Sequence, residues 1–225
     1  MSEKALAKVC VDWLLEQDYE VYQEVQFSGR GGKVADIVAV RGPVFHIIEC
    51  KTSLSTVVMQ QASEWKVPFR SICVPAGRSG TQSKSRWIAT KLAKNYFKVG
   101  VIEVTKNYKG VFEYPRRKIN SPFLREYQKR SEKLRKLLKP EHKFYAQAGD
   151  DKRQHWTVYK STIRDVKKFI KYHPKCTIKE IMLSCETHYA SKSAKYSLAY
   201  ALEHYEKLWC SVDKAEKPYK YTVVE

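Results

Sequence analysis

Long apolar runs are missing from this 225-residue chain. No hydrophobic span reaches transmembrane length, and neither an amino-terminal signal with a charged leader and apolar core nor a lipidation signature is present. A cytoplasmic, reducing setting with no membrane partner is therefore the expectation. Paired cysteines are missing too. Cys10, Cys50, Cys73, Cys176, Cys185 and Cys210 are scattered without a C-x-x-C pair, which excludes a zinc ribbon or disulfide framework and leaves free thiols. The six histidines show no His-x-x-x-His ligand spacing. Acidic residues are scarce: 24 Asp and Glu face 42 Lys and Arg, a net charge of +18. The imbalance is uneven, with 16 cations against 11 anions over Met1–Tyr114 and 26 against 13 over Pro115–Glu225. Such an excess calls for a polyanionic partner, most commonly nucleic acid, with an anionic membrane surface as the rival.

Against this background one stretch stands out, Val34–Lys51. Its two apolar runs, Val34–Val40 and Val44–Cys50, are rich in β-branched residues and are separated by Arg41-Gly42-Pro43, so they read as a β-hairpin. Strand alternation puts Glu49 and Lys51 on one face, with Ile48 and Cys50 on the other. A connection of even length, or a bulge, sets Asp36 opposite Ile47 and on the face of Glu49; a three-residue loop would turn it away. Unpaired carboxylates in apolar strands are costly. A hard divalent cation such as Mg²⁺ would resolve the repulsion, and the Lys51 ammonium beside it could orient water or stabilise developing charge. The plainer alternative is a Glu–Lys ion pair on an exposed edge strand.

Asp36, twelve intervening residues and then Glu49-Cys50-Lys51 resembles the signature of the PD-(D/E)XK nucleases, the restriction-endonuclease-like superfamily that includes archaeal Holliday-junction resolvases. Ala35 stands where the proline of that signature would be, a position that makes no metal contact in the family. The resemblance covers about the first half of the chain. It implies Mg²⁺, with Mn²⁺ as a substitute, held by Asp36, Glu49 and the main-chain carbonyl of Cys50, and Lys51 assisting the attacking water. It also makes Glu3 a candidate additional ligand, with Glu24 a second choice; stabilising the helix dipole is the plainer role for Glu3. Gln61 is a candidate for orienting water or phosphate, or is simply solvated.

The remaining chain supports a mixed α/β sheet with helices on its faces. Ser2 caps a helix through Glu16, Val21–Phe27 is a first strand, and Ser28–Lys33 is a Gly-rich loop. Thr52-Ser53 cap a helix to about Trp65, with Val58, Ala62 and Trp65 on its buried side. Arg70–Pro75 is a strand and Gly77–Ser85 a polar loop whose Arg78 and Lys84 could meet phosphates. Trp87–Phe97 is a helix, Gly100–Thr105 an apolar strand, and Lys106–Pro115 closes the domain.

Ser121–Leu138 reads as a basic helix with Pro122 at its first position, followed by a linker over Glu141–His155. From Trp156 a helix runs to about Tyr172, Thr177 caps Ile178–Ser184, and Ser191 caps Lys192–His204. Leu208–Val212 and Tyr219–Val224 then form a hairpin. Three helices and a hairpin resemble a winged helix. That likeness implies that Ser191, Lys192, Ser193 and Lys195 meet DNA in the major groove and that Lys214, Lys217 and Lys220 of the wing reach the backbone. The expected organisation is a restriction-endonuclease-like domain over 1–114, a basic helix and linker over 115–155, and a small, mainly helical winged-helix domain over 156–225.

The expected function is Mg²⁺-dependent hydrolysis of DNA phosphodiester bonds, with binding assisted by the second domain and a homodimer as an option that favours paired cuts. A structure-selective, junction-resolving enzyme and a catalytically silent DNA-binding protein of the same fold are the alternatives.

Overall fold

The computed structural model describes residues 2–27, 33–77, 83–105, 110–113, 124–149, 156–189 and 193–224. The chain divides into two compact units, Met1–Trp156 and Thr157–Glu225.

The first unit is an α/β layer structure. Helix α1 (Glu3–Leu15) opens where Ser2 Oγ accepts from Ala5 N at 3.2 Å, satisfying one of the first-turn amides. Strands β1 (Glu20–Gln26), β2 (Val34–Arg41) and β3 (Val44–Cys50) follow as an antiparallel meander. Helix α2 (Thr56–Ser63) crosses over to β4 (Phe69–Pro75), parallel to β3. Helix α3 (Lys84–Leu92), continued by a π-helical turn over Ala93–Phe97, leads to β5 (Gly100–Val104), parallel to β4. Strand β6 (Val111–Glu113) closes the sheet antiparallel to β5. The spatial order is β1-β2-β3-β4-β5-β6.

Both faces of this mixed sheet are covered. On one side Leu6, Ala7, Cys10 and Leu14 of α1 pack against Ile37, Ala39, Ile48, Cys50 and Cys73. On the other, Val38, Val40, Phe45 and Ile47 meet Trp65 and Val67, while Ile72, Val74 and Val101 meet Met59 and Ala62. Each large aliphatic buried here contributes roughly 1.5–3 kcal/mol. Strand β5 is not wholly apolar, because Glu103 is buried in it; Arg86 Nε lies 2.7 Å from its carboxylate.

Several boundaries differ from the sequence expectation. Helix α2 is capped by Ser55, whose Oγ accepts from Val58 N, and not by Thr52 or Ser53. The cause is that Lys51 N still donates to Cys73 O at 2.9 Å, so the β3–β4 ladder extends past Cys50 and delays the helix. Ser83, placed in a loop by sequence, caps α3. Strand β6 lies within the stretch expected only to close the domain.

The largest difference concerns 115–155, expected as a basic helix and linker. Its described part packs on the first unit. Helix α4 (Leu124–Arg135) buries Leu134 against the β2–β3 face, and Arg135 donates to Gly42 O at 2.8 Å. A 3-10 turn at Pro140–Lys143 then leads a segment along β1, the open edge of the sheet. Lys143 Nζ reaches Glu20 at 2.7 Å, Ala148 N donates to Gln23 Oε1 at 3.1 Å, and Ala148 joins the α1 core. Gly149 is at φ +85, and a Cβ there would lie 2.8 Å from Lys4 N, so the close approach to α1 requires glycine.

The second unit contains α5 (Val158–Tyr172), β7 (Cys176–Thr177), α6 (Ile178–Ser184), α7 (Ala194–His204), β8 (Cys210–Asp213) and β9 (Lys220–Val223). Helix α6 carries a capping box, in which Thr177 N donates to Glu180 Oε2 at 2.7 Å. The strands form an antiparallel sheet in the order β7-β9-β8, around a core of Val166, Ile170, Ile181, Leu198, Leu202 and Tyr221. Strand β7 is too short to be seen in the sequence pattern. Ser191, the expected cap of α7, lies outside the described residues; Ser193 is the N-cap.

All six cysteines are free thiols. Among the described residues no helix is long and apolar enough to cross a membrane.

Candidate active site

The hairpin connection is the two-residue turn Gly42-Pro43, with Gly42 at φ +53 and Arg41 paired with Val44. An even loop gives the parity that the site needs, but the partner differs by two residues from the one expected. Ile47 pairs with Val38, and the register Ile37↔Ile48 continues to set Asp36 opposite Glu49. On the other side, Gln23↔Ile37 and Val25↔Ala35 bracket Glu24 and Asp36. Three carboxylates therefore stand in one row across β1, β2 and β3.

Their surroundings are distinct. Asp36 Oδ2 accepts from Cys50 N at 2.7 Å and from Lys51 Nζ at 3.1 Å. Lys51 Nζ is also 3.9 Å from Glu49 Oε2, so one ammonium links both carboxylates. Glu49, 9% exposed, accepts from Trp65 Nε1 at 2.6 Å through Oε1. Glu24 is buried, and its Oε1 accepts from Gly149 N at 2.7 Å. It also holds φ +50 in mid-strand, a left-handed conformation that costs an ordinary side chain about 1–3 kcal/mol.

Electrostatics follow from this crowding. Burial, and then the charge of Asp36, push the Glu49 carboxyl up to about 7 against the pull of Trp65, Lys51 and Lys33. Burial likewise lifts Glu24 to about 7, with the Gly149 amide opposing and the charges of Asp36 and Glu49 adding to the rise. Desolvation works to lower Lys51, but the charge and hydrogen bond of Asp36, then Glu49 and Glu3, outweigh it and the net shift is upward. Lys51 therefore stays a cation and donates hydrogen bonds; it is not a base at neutral pH.

One lysine does not satisfy this acid pair. Asp36 Oδ1 has no hydrogen-bond donor among the described residues, and Glu49 Oε2 has only the 3.9 Å contact with Lys51. Among the described residues no group of three or more His, Cys, Asp or Glu could hold a metal ion. An ion here would rest on one oxygen from each carboxylate, a main-chain oxygen and water. That donor set suits Mg²⁺, which keeps several waters, and does not suit Zn²⁺. The residues present thus fit the group.

The other candidates divide. Cys50 ends β3 with its side chain in the core of the opposite face. Glu3 is half-buried at the start of α1 and acts on Lys51 through its charge, with no ion pair or side-chain hydrogen bond among the described residues. Gln61 is exposed on α2 and its side chain makes no hydrogen bond to the carboxylates; Met59 and Ala62 form the buried side. Two residues went unassigned from sequence. Trp65, read there only as a packing residue, holds Glu49, and Lys33 lies over the Trp65 ring at 5.7 Å while pairing with Glu64. Nothing in the local pattern distinguishes an indole that packs from one that donates.

Of the candidate DNA contacts, Arg78, Ser191 and Lys192 lie outside the described residues. Lys84, Ser193, Lys195, Lys217 and Lys220 are exposed. Lys214 is tied to Glu203 at 2.9 Å and lies over Tyr219. The charge excess is also distributed differently from the expected domain assignment. Residues 115–155 hold 13 Lys and Arg against 5 Asp and Glu, whereas 156–225 hold 13 against 8. Much of the surplus therefore belongs to the first unit, where α4 and the residue after it leave Arg125, Lys129, Lys133 and Lys136 exposed.

No family model, curated protein or solved structure matches this chain.

Proposed function

We propose that the chain is a Mg²⁺-dependent deoxyribonuclease of the PD-(D/E)XK type, hydrolysing DNA phosphodiester bonds. The observation that carries this reading is the trio itself: Asp36 and Glu49 on neighbouring strands, with Lys51 Nζ 3.1 Å from one and 3.9 Å from the other. Asp36, Glu49 and the Cys50 carbonyl would hold the metal, with Mn²⁺ as a substitute. When bound, the ion polarises a phosphoryl oxygen and lowers the pKa of water.

The chain's own groups would do the rest. Trp65 fixes one oxygen of Glu49 and Cys50 N fixes one of Asp36, so each carboxylate presents its other oxygen in a set direction. Lys51, held charged, would stabilise negative charge developing on the phosphate or orient the attacking water. The exposed cations along α4 would contact the backbone and set position without reading sequence. The order α5-β7-α6-α7-β8-β9, with its β7-β9-β8 sheet, supports a winged-helix reading of the second unit. Tethering such a binding module would raise the local concentration of substrate.

The rival with an observation behind it is a DNA-binding protein of the same fold that performs no chemistry. Lys51 already spans both carboxylates, and the trio would then be a closed ion network. Incubating the chain with labelled linear duplex, nicked, flapped and four-way DNA, with and without Mg²⁺, decides between them. Metal-dependent products support the nuclease. Their absence with every substrate favours the silent protein, and preference for branched forms identifies a structure-selective enzyme.

A further inference from the structure

The outward face of α7 carries a ladder of rings for which the nuclease reading has no use. Leu198, Ala201 and Leu202 turn inward, which leaves Tyr196, Tyr200 and His204 four residues apart along the opposite side. Tyr196 is 74% exposed and Tyr200 43%. The two phenol rings lie 6.4 Å apart with planes 29° from parallel, and Tyr200 is 4.2 Å from the His204 imidazole. Single exposed aromatics are ordinary on protein surfaces; three rings grouped on one helix face form a contiguous patch.

We propose that this ladder is a stacking platform for unpaired bases of a DNA substrate. Every base has a π face, so a row of rings binds single strands with little regard to sequence. The 6.4 Å between the phenols is close to about 6.8 Å, twice the roughly 3.4 Å rise of stacked bases. The charge around the ladder suits a polyanion. Lys195 and Lys207 are exposed at its two ends, and Glu203, the carboxylate on the same face, is neutralised by Lys214 at 2.9 Å. A helix that reads duplex DNA presents Arg, Lys, Asn or Gln to base edges. Here the exposed positions of α7 are Lys195, Tyr196, Tyr200 and His204, so rings outnumber base-edge readers. The second unit therefore recognises single-stranded character. This rests on the DNA-substrate reading above and names the structural class that the unit selects.

The test is fluorescence anisotropy of the full chain in EDTA, which keeps binding separate from cleavage. The probes are a labelled oligothymidylate and a duplex of equal length. Wild type is expected to prefer the single strand. The double variant Tyr196→Ala/Tyr200→Ala, exposed and outside the core, should lose at least about tenfold in single-strand affinity, while Tyr196→Phe/Tyr200→Phe stays within about twofold. Ring-dependent single-strand binding supports the proposal even if Mg²⁺ never produces cleavage. Mg²⁺ cleavage combined with single-strand affinity that ignores the rings overturns it and leaves the nuclease reading standing. A wild-type chain that binds the single strand no tighter than the duplex also overturns it.

Discussion

Replacing Glu49 with Gln should abolish cleavage and at the same time make the metal-free protein more stable at alkaline pH. Glu49 is buried beside Asp36, and its carboxyl stands at about 7 instead of 4.5. The sign follows from linkage. A carboxylate whose pKa is raised in the folded state binds its proton more tightly there than in the unfolded chain, so stability falls as pH rises from about 4.5 through 7. A shift of this size corresponds to about 3 kcal/mol as an upper limit. Glu49→Gln keeps an oxygen for Trp65 Nε1 and removes the charge. Above pH 8 the metal-free variant should therefore gain about 1–3 kcal/mol, or roughly 2–10 °C in Tm for a unit of this size, and it should gain almost nothing at about pH 4, below the ordinary carboxyl value. Saturating Mg²⁺ should raise the Tm of wild type and leave the variant unmoved. Thermal melts at the two pH values, with and without Mg²⁺, make the comparison. A stability difference that does not change with pH, or a variant less stable than wild type at pH 8, refutes the reasoning.

Three other outcomes are expected. Gly149→Ala forces a methyl group to 2.8 Å from Lys4 N at φ +85 and should destabilise the first unit by about 1–3 kcal/mol in urea unfolding. Arg70→Ala removes the guanidinium that donates to the carbonyls of Ser63, Trp65, Phe97 and Lys98. It should cost about 3 kcal/mol or more, because those carbonyls lose a shared donor; an unchanged melting curve would contradict this. Lys129→Ala/Lys136→Ala should weaken duplex and single-strand binding alike and reduce the slope of log affinity against log salt by about 2, one unit for each phosphate that is no longer neutralised.

The central hairpin was legible because its signals agree. β-branched runs, a turn dipeptide and strand alternation all act over a few residues, and together they set Asp36 and Glu49 on one face. The cross-strand partner was not legible, since the two-residue turns Arg41-Gly42 and Gly42-Pro43 have the same parity and set registers two residues apart. Trp65 and Gly149 escaped for another reason. Their roles depend on contacts made 16 residues away for Trp65 and 125 for Gly149, and no local periodicity encodes such pairings. The segment after α4 shows the same limit: Ala146 and Ala148 are too small to form an apolar stripe, yet both are buried, Ala148 in the core beneath α1. On α7 the tyrosines were visible in sequence, but only the inward turn of Leu198 and Leu202 separates a core ring from an exposed one.

The claim on which the nuclease reading depends is that Asp36 and Glu49 grip one divalent cation. A Mn²⁺ binding isotherm measured by electron paramagnetic resonance on wild type and on Asp36→Ala addresses it without needing the right DNA substrate. One ion per chain is expected in wild type and none at the same concentrations in the variant. Equal binding by the two proteins, or no binding by wild type, contradicts it.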